Sequence, residues 1–190
     1  MKRQVLIINV CKERLHYFEF VKPVERIVRL CKKGFFVRGY MDVSKEDIDK
    51  AGRIIICGTS LMDSEYLNSI KRFKWLGWVQ KPVLGICAGM QIICKNFGCK
   101  LVKKCEIGLK RIYFKQHFFG MSRWQEVYLL YNLSVKNDNA LEKNFDIFSK
   151  SKKGDIVYAI KHKTKELYGV LFHPEVRHEE MIINFINLRI

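Results

Sequence analysis

The first half of the chain alternates short apolar runs with longer amphipathic segments. The apolar runs cover residues 4–10, 35–40, 53–57 and 83–86, and each matches the length of one strand. Residues 23–33, the segment that begins at Ser44, and residues 64–78 carry apolar side chains at helical spacing. Strands that are apolar throughout are typical of a sheet covered on both sides. We therefore predict an α/β fold, with an open, mostly parallel, flavodoxin-like sheet and helices on both faces.

After Gly98 the pattern changes to shorter alternating stretches, which predict a smaller antiparallel extension of the sheet. Strands are expected over residues 100–104, 109–114, 126–133 and 145–150. Residues 155–161 and 166–172 follow as a hairpin-like pair, and residues 181–188 form a closing helix. Residues 116–125, with Gly120 at their centre, are interpreted as a mobile loop.

Length and composition indicate one domain over residues 1–190 with a substantial core. Apolar residues make up 48% of the chain and charged residues 28%, which is not typical of disorder. The apolar run after Met1 is too short for a signal peptide, and none approaches the length of a membrane span, so we expect no membrane association. The seven cysteines have no metal-finger spacing, and their scatter favours reduced thiols in the cytoplasm.

The net charge is +16, from 35 Lys and Arg against 19 Asp and Glu. Such a balance can mark nucleic-acid binding. The charge is spread along the whole chain, however, without a basic tract or a recognised binding motif. An acidic partner subunit, or simple solubility, is favoured over nucleic acid.

The most informative stretch, residues 82–91, has the sequence PVLGICAGMQ. It predicts a buried strand, a sharp turn at Cys87 and a helix that begins at once, with glycines where a Cβ would crowd the turn. The thiol of Cys87 would then lie at the amino end of a helix, where unpaired N–H groups and the helix dipole favour thiolate over thiol.

A base for this thiol is available near the end of the chain, where residues 168–176 have the sequence YGVLFHPEV. Pro174 favours extended geometry at His173, and residues two apart on an extended segment share a face. Glu175 can therefore orient the imidazole of His173, which can accept the thiol proton. Isolated buried cysteines and strand-end histidines are usually structural, but the two motifs together favour catalysis.

The cysteine motif of residues 85–91 and the histidine motif of residues 172–175 resemble the class I (triad) glutamine amidotransferases, over most of the chain. The resemblance implies that Cys87 is the nucleophile, His173 the base and Glu175 its orienter. It also implies that the Ala88 amide donates to an oxyanion and that Gln91 lines the glutamine pocket. The implied reaction is hydrolysis of glutamine through a thioester, with ammonia passed to a separate synthetase; no metal or cofactor is implied.

Residues 172–176 are most similar to the GMP synthase branch of the family, although the cysteine motif also suits the glutaminases of imidazole glycerol phosphate and anthranilate synthesis. Two departures stand out. Residues 57–60, Cys-Gly-Thr-Ser, replace a Gly-Gly-Pro run that supplies the second oxyanion donor, so Gly58 and Thr59 are candidates for that role. Residues 130–133, Leu-Tyr-Asn-Leu, stand where the GMP synthase branch has a Ser-His-Gly-Asp-like turn.

Two alternatives stay open. The same triad could hydrolyse γ-glutamyl peptides without a partner, in a pocket open to long γ-substituents. The replacement at Thr59 and Ser60 also permits a degenerate amidotransferase fold that acts as a regulatory or binding subunit.

Overall fold

The computed structural model describes residues 4–188. The single-domain expectation for residues 1–190 therefore includes two segments, 1–3 and 189–190, that lie outside the described residues. The strands within this range are β1 Gln4–Asn9, β2 Phe35–Gly39, β3 Ala51–Ile56, β4 Val83–Ile86, β5 Leu101–Phe118, β6 Met121–Val135, β7 Phe145–Lys150, β8 Val157–His162 and β9 Leu167–Val170. The helices are α1 Arg14–Phe20, α2 Lys22–Leu30, α3 Lys45–Lys50, α4 Glu65–Asn68, α5 Ala88–Asn96, α6 Asn139–Asn144 and α7 Glu179–Ile186, with a 3-10 helix over Ile70–Gly77.

All nine strands join one sheet in the order β2-β1-β3-β4-β9-β8-β7-β5-β6. The first five in this order run parallel, and β8, β7, β5 and β6 continue the sheet in antiparallel fashion. The α/β fold with a parallel sheet and an antiparallel extension is confirmed.

The helices cover both faces because the parallel connections run in opposite directions. The crossover through α2 leads outward from β1 to β2, whereas the crossover through α3 returns past β1 to β3. Right-handed crossovers in opposite directions place their helices on opposite faces. α7 packs against α2, and α5 packs against the 3-10 helix. Each helix within residues 4–188 is too short or too polar to cross a bilayer.

The strands that carry the site are buried on both faces. Leu6, Ile7 and Ile8 of β1 are fully buried, as are Val83 and Leu84 of β4. This is why these strands are apolar throughout rather than alternating. The carboxyl ends of β3, β4 and β9 are neighbours, so the residues that follow these strands meet at one edge of the sheet.

The single helix expected over residues 64–78 is wrong. The structure has α4, then a break at Ser69, then the 3-10 helix. Hydrogen bonds from Leu67 N to Ser64 O and from Arg72 N to Ser69 O span three residues rather than four. Serine and asparagine compete for backbone hydrogen bonds, so the polar pair at residues 68–69 interrupts the helix. The expected helix over residues 23–33 is also shorter, and α1 has no counterpart in the sequence prediction because Leu15 and Phe18 are exposed.

The mobile loop expected over residues 116–125 is wrong as well. This segment is the end of a long hairpin in which Phe118 pairs with Met121. The two connecting residues, Phe119 and Gly120, have φ of 49° and 90°, as a tight two-residue hairpin turn requires. The ring of Phe119 packs 4.8 Å from that of Tyr168, which fixes the tip to the core. The strands expected over residues 100–104, 109–114 and 126–133 are parts of this one hairpin, and bulges in β5 interrupt its alternating pattern.

Candidate active site

Cys87 occupies a strained turn between β4 and α5, as the sequence indicates. Its φ is 47° and its ψ is −99°, and its backbone N–H donates to Val170 O at 2.7 Å. A Cβ at Gly85 would lie 2.4 Å from the backbone of Gly89, and one at Gly89 would lie 2.3 Å from Ile56 O. Both glycines are therefore needed for the close approach of helix and sheet, and the positive φ of Cys87 is typical of functional strain.

His173 and Glu175 follow β9 in a turn rather than in an extended strand. The N–H groups of Val176 and Arg177 both donate to His173 O, at 3.2 and 3.3 Å. The expected contact is present all the same, because Nδ1 of His173 lies 2.7 Å from Oε1 of Glu175. Both side chains are fully buried.

The sulfur of Cys87 and the ring of His173 meet at one backbone oxygen. The thiol donates to Leu130 O at 3.4 Å, and Nε2 of His173 lies 3.3 Å from the same oxygen. A carbonyl and a carboxylate only accept hydrogen bonds, so both ring nitrogens of His173 donate. The imidazole is therefore held in its doubly protonated, cationic form.

The electrostatics agree with this assignment. Burial alone lowers the pKa of His173, but the Glu175 carboxylate and the Cys87 side chain raise it, and the net pKa is well above 6.5. The second carboxylate oxygen, Oε2 of Glu175, is buried without a hydrogen-bond partner among the described residues. The carboxylate is thus directed at the imidazole and at little else.

Gly58, which follows β3, lies directly against this pair. A Cβ on Gly58 would be 2.7 Å from Cε1 of His173 and 3.5 Å from the Cβ of Cys87. Thr59 would be strained if its backbone needed positive φ, which a non-glycine residue resists. Five non-glycine residues within 4–188 have positive φ, and Thr59 is not one of them.

A small pocket adjoins Cys87 and contains the other expected residues. Thr59, Ala88 and Gln91 line it, together with Leu130 and Asn132. Its volume is about 10 Å³, enough for one water molecule. The amide of Asn132 donates to Leu61 O across this pocket, which joins its two walls.

Gln91 forms a fixed wall of the pocket. Its Oε1 accepts from the Tyr66 hydroxyl, and its Nε2 donates to Leu133 O at 2.8 Å. Residues 130–133 lie within β6 rather than in a turn, yet they do border the site.

Sequence reasoning missed a second set of residues that supports the loop after β3. The carboxylate of Asp63 accepts from the hydroxyl of Thr59 at 2.7 Å, from the backbone N–H of Lys12 at 3.1 Å and from His16 at 2.9 Å. Burial raises the pKa of Asp63, but these donors outweigh it, and the net pKa lies below 3.8. The three partners are distant in sequence from one another or from Asp63, so spacing alone carried no signal.

Among residues 4–188 there is no cluster of three or more His, Cys, Asp or Glu side chains suited to a metal ion. His178, close to the site in sequence, caps α7 with φ of 83°, and its Nε2 donates to Glu126 O at 2.8 Å.

Comparison with known proteins identifies the family. A family model described as glutamine amidotransferase class-I matches residues 24–189. The separate glutamine-hydrolysing subunit of GMP synthase from Thermococcus kodakarensis is 32% identical over 163 residues, which cover 83% of this chain and 74% of that protein. The same subunit from Pyrococcus abyssi is 37% identical over 116 residues, 56% of this chain and 60% of the relative's length.

Some relatives are much longer. The glutamine-hydrolysing GMP synthase from Staphylococcus epidermidis is 36% identical over 171 residues, which cover 86% of this chain and 29% of that protein. Among solved structures, a protein described as a GMP synthase subunit from Thermoplasma acidophilum superposes with a TM-score of 0.84 at 21% identity, covering 98% of this chain and 94% of that one. At that identity the superposition supports the fold alone.

Proposed function

Since the chain belongs to the glutamine amidotransferase class-I family, we propose that it hydrolyses glutamine and supplies the ammonia to a separate synthetase subunit, that of GMP synthase. The names of its archaeal relatives support this assignment, and the acceptor reaction then belongs to purine nucleotide synthesis. The observation that carries the proposal is the meeting of Cys87 and His173 at one backbone oxygen, with Glu175 on the far side of the ring.

In the proposed mechanism, the sulfur of Cys87 attacks the side-chain carbonyl carbon of glutamine. The thiol proton passes to Nε2 of His173, which then gives it to the departing nitrogen, and ammonia leaves. A γ-glutamyl thioester remains on Cys87. Water attacks the thioester after losing a proton to His173, glutamate leaves, and the proton returns to the sulfur.

The negative oxygen that forms in each attack needs donors. We assign this role to the Ala88 N–H at the start of α5 and to a backbone N–H of the loop that contains Gly58 and Thr59. One such donor contributes roughly 3 kcal/mol to the rate. Asp63 is a positioning residue in this scheme, since it anchors Thr59.

Glutamine binding requires the pocket to widen from its volume of about 10 Å³. The walls that must separate are the loop after β3 and residues 130–132 of β6. We infer that docking of the synthetase promotes this movement and thereby couples ammonia release to demand.

The cytoplasm is the proposed location. All seven cysteines lie within the described residues and none forms a disulfide, which supports a reducing compartment.

Neither alternative is favoured. A γ-glutamyl peptide hydrolase requires room for long γ-substituents, and the narrow pocket lends this no support. The degenerate binding protein rests on strain at Thr59, and the φ of Thr59 is outside the positive range.

The test is ammonia release from glutamine by the chain alone and with the candidate synthetase. We expect slow hydrolysis alone, clear stimulation by the synthetase, and labelling of Cys87 by a glutamine-derived electrophile. Cys87→Ala and His173→Ala should abolish both signals, and Cys31→Ala, which changes a partly exposed thiol elsewhere, should abolish neither. An unlabelled protein that the synthetase does not stimulate would refute the proposal.

A further inference from the structure

A second concavity, larger than the site at Cys87, opens between β5 and the β7–β8 connection. β5 pairs with β6 along most of its length but with β7 at one position only, Phe114 opposite Ser149. The two strands diverge beyond that point, and the cleft between them has a volume of about 870 Å³. This is within the range of about 300 to 1,000 Å³ that is typical of small-molecule sites.

The cleft is strongly basic. Seven Lys and Arg residues line it against two carboxylates, Glu106 and Asp155. Both carboxylates are already occupied. Glu106 accepts from Lys110 and from the Tyr131 hydroxyl, while Asp155 accepts from Ser151 at 2.6 Å and lies 4.0 Å from Lys104.

Five cations of the cleft therefore have no carboxylate partner among residues 4–188. They are Arg111, Lys115, Lys150, Lys152 and Lys153. Like charges that converge on one concave surface repel each other, and a multiply charged anion relieves that repulsion. The net charge of +16 is thus concentrated, in part, where a ligand can use it.

Two aromatic side chains stand beside these cations. Tyr113 and Trp124 are cross-strand neighbours with ring centroids 5.3 Å apart, and they remain 44% and 50% exposed. The guanidinium of Arg111 lies 5.7 Å from the Trp124 ring. An exposed indole next to phosphate-binding cations is a platform on which a nucleobase can stack.

The geometry points to a binding site for a free nucleoside polyphosphate in this cleft. The base stacks on Trp124, and the phosphates lie among Arg111 and the lysines of the β7–β8 connection. The bounded volume favours one nucleotide over a strand of nucleic acid, which needs an extended track. The inference does not depend on the chemistry proposed for Cys87.

Calorimetric titration of the full chain tests this site, with ATP, GTP, inorganic tripolyphosphate, adenosine and a single-stranded RNA of about 12 nucleotides as probes. We expect one triphosphate nucleotide to bind at one site per chain, at least tenfold more tightly than tripolyphosphate or adenosine. Trp124→Ala should weaken that binding about tenfold or more, because a stacked base is lost. Trp124→Phe, which keeps an aromatic face, should restore most of it.

The double variant Lys152→Ala/Lys153→Ala should weaken nucleotide binding and reduce its dependence on salt. The matched control Lys71→Ala/Lys74→Ala removes two exposed lysines of the 3-10 helix and should leave binding unchanged. The inference fails if no nucleotide binds, if tripolyphosphate binds as tightly as the nucleotides, or if the RNA binds more tightly than they do. Ammonia release by the same protein is measured separately, so failure here leaves the glutaminase proposal standing.

Discussion

Asn132 on β6 donates a hydrogen bond to the carbonyl oxygen of Leu61, and this contact closes the pocket beside Cys87. Asn132 is otherwise exposed and belongs to the wall that must move for glutamine to enter. The contact therefore acts as a latch between β6 and the loop after β3.

We expect Asn132→Ala to raise the basal glutaminase activity of the isolated chain severalfold, and to reduce the further stimulation by the synthetase. Loss of the latch makes the open pocket more populated before docking, so less remains for the partner to supply. Steady-state ammonia release measures this. The matched control is Asn184→Ala, since Asn184 also donates to a distant backbone oxygen, that of Phe119. Equal basal rates in Asn132→Ala and wild type would contradict the latch.

Gly58→Ala should inactivate the enzyme without unfolding it. The added methyl group would lie 2.7 Å from Cε1 of His173, so the imidazole must shift away from Cys87. A displacement of about 1 Å at a reacting group reduces turnover about 100-fold. Gly77→Ala is the control, because a Cβ there meets nothing within 4 Å. Circular dichroism and turnover together make the measurement, and an active Gly58→Ala enzyme would rule out the arrangement.

Glu175→Gln should lower the pKa of His173, because the carboxylate is what outweighs burial. In the wild type this raised pKa stabilises the fold fully below about pH 6.5, the pKa of an unfolded histidine. The stabilisation is lost as the pH rises through the higher, folded-state value. The variant should lose this dependence, and turnover should fall about 100-fold or more.

Denaturant unfolding between about pH 5 and pH 10 tests the stability effect. Glu126→Gln, which breaks an exposed ion pair with Arg177, is the control and should keep the wild-type profile. An unchanged profile in Glu175→Gln would show that the carboxylate does not set the charge of the imidazole.

Asp63→Asn should weaken both the acid stability and the activity. Because the pKa of Asp63 is lowered, its contribution is present above about pH 4 and is lost as the pH falls through the folded-state value. Removing the charge also loosens Thr59, so we expect a drop in turnover of about tenfold, with thioester formation affected most. Asp49→Asn, at an exposed position, serves as the control. Single-turnover labelling by glutamine separates this effect from altered binding.

The sequence is a good guide to the parallel half of the fold, because strands buried on both faces have uninterrupted apolar runs. The β4 bounds, 83–86, agree with the prediction to the residue. The antiparallel half is harder. β5 and β6 bury some residues on each side, and the bulge between Lys103 and Glu106 changes which face they present. The connection at Phe119 resembles a loop because glycine next to polar residues is common in loops, whereas here aromatic packing holds it in place.

At the site, side-chain chemistry is visible in the sequence and backbone chemistry is not. Cys87, His173 and Glu175 can be named because thiol, imidazole and carboxylate are rare in that local setting. Leu130 cannot be named, because its contribution is a carbonyl that every residue possesses. Asp63 escapes notice for a related reason, since its three donors come together only when the β1 and β3 ends are neighbours.

The resting position of the Leu130 carbonyl has an evolutionary consequence. An acceptor supplied by the main chain survives any change of amino acid at position 130, so mutation of that codon cannot delete it. Variation at neighbouring positions can alter this brake only by displacing β6 as a whole. Selection on idle glutamine consumption would therefore be recorded in how firmly the strand is seated, rather than in the identity of the residue that touches the nucleophile.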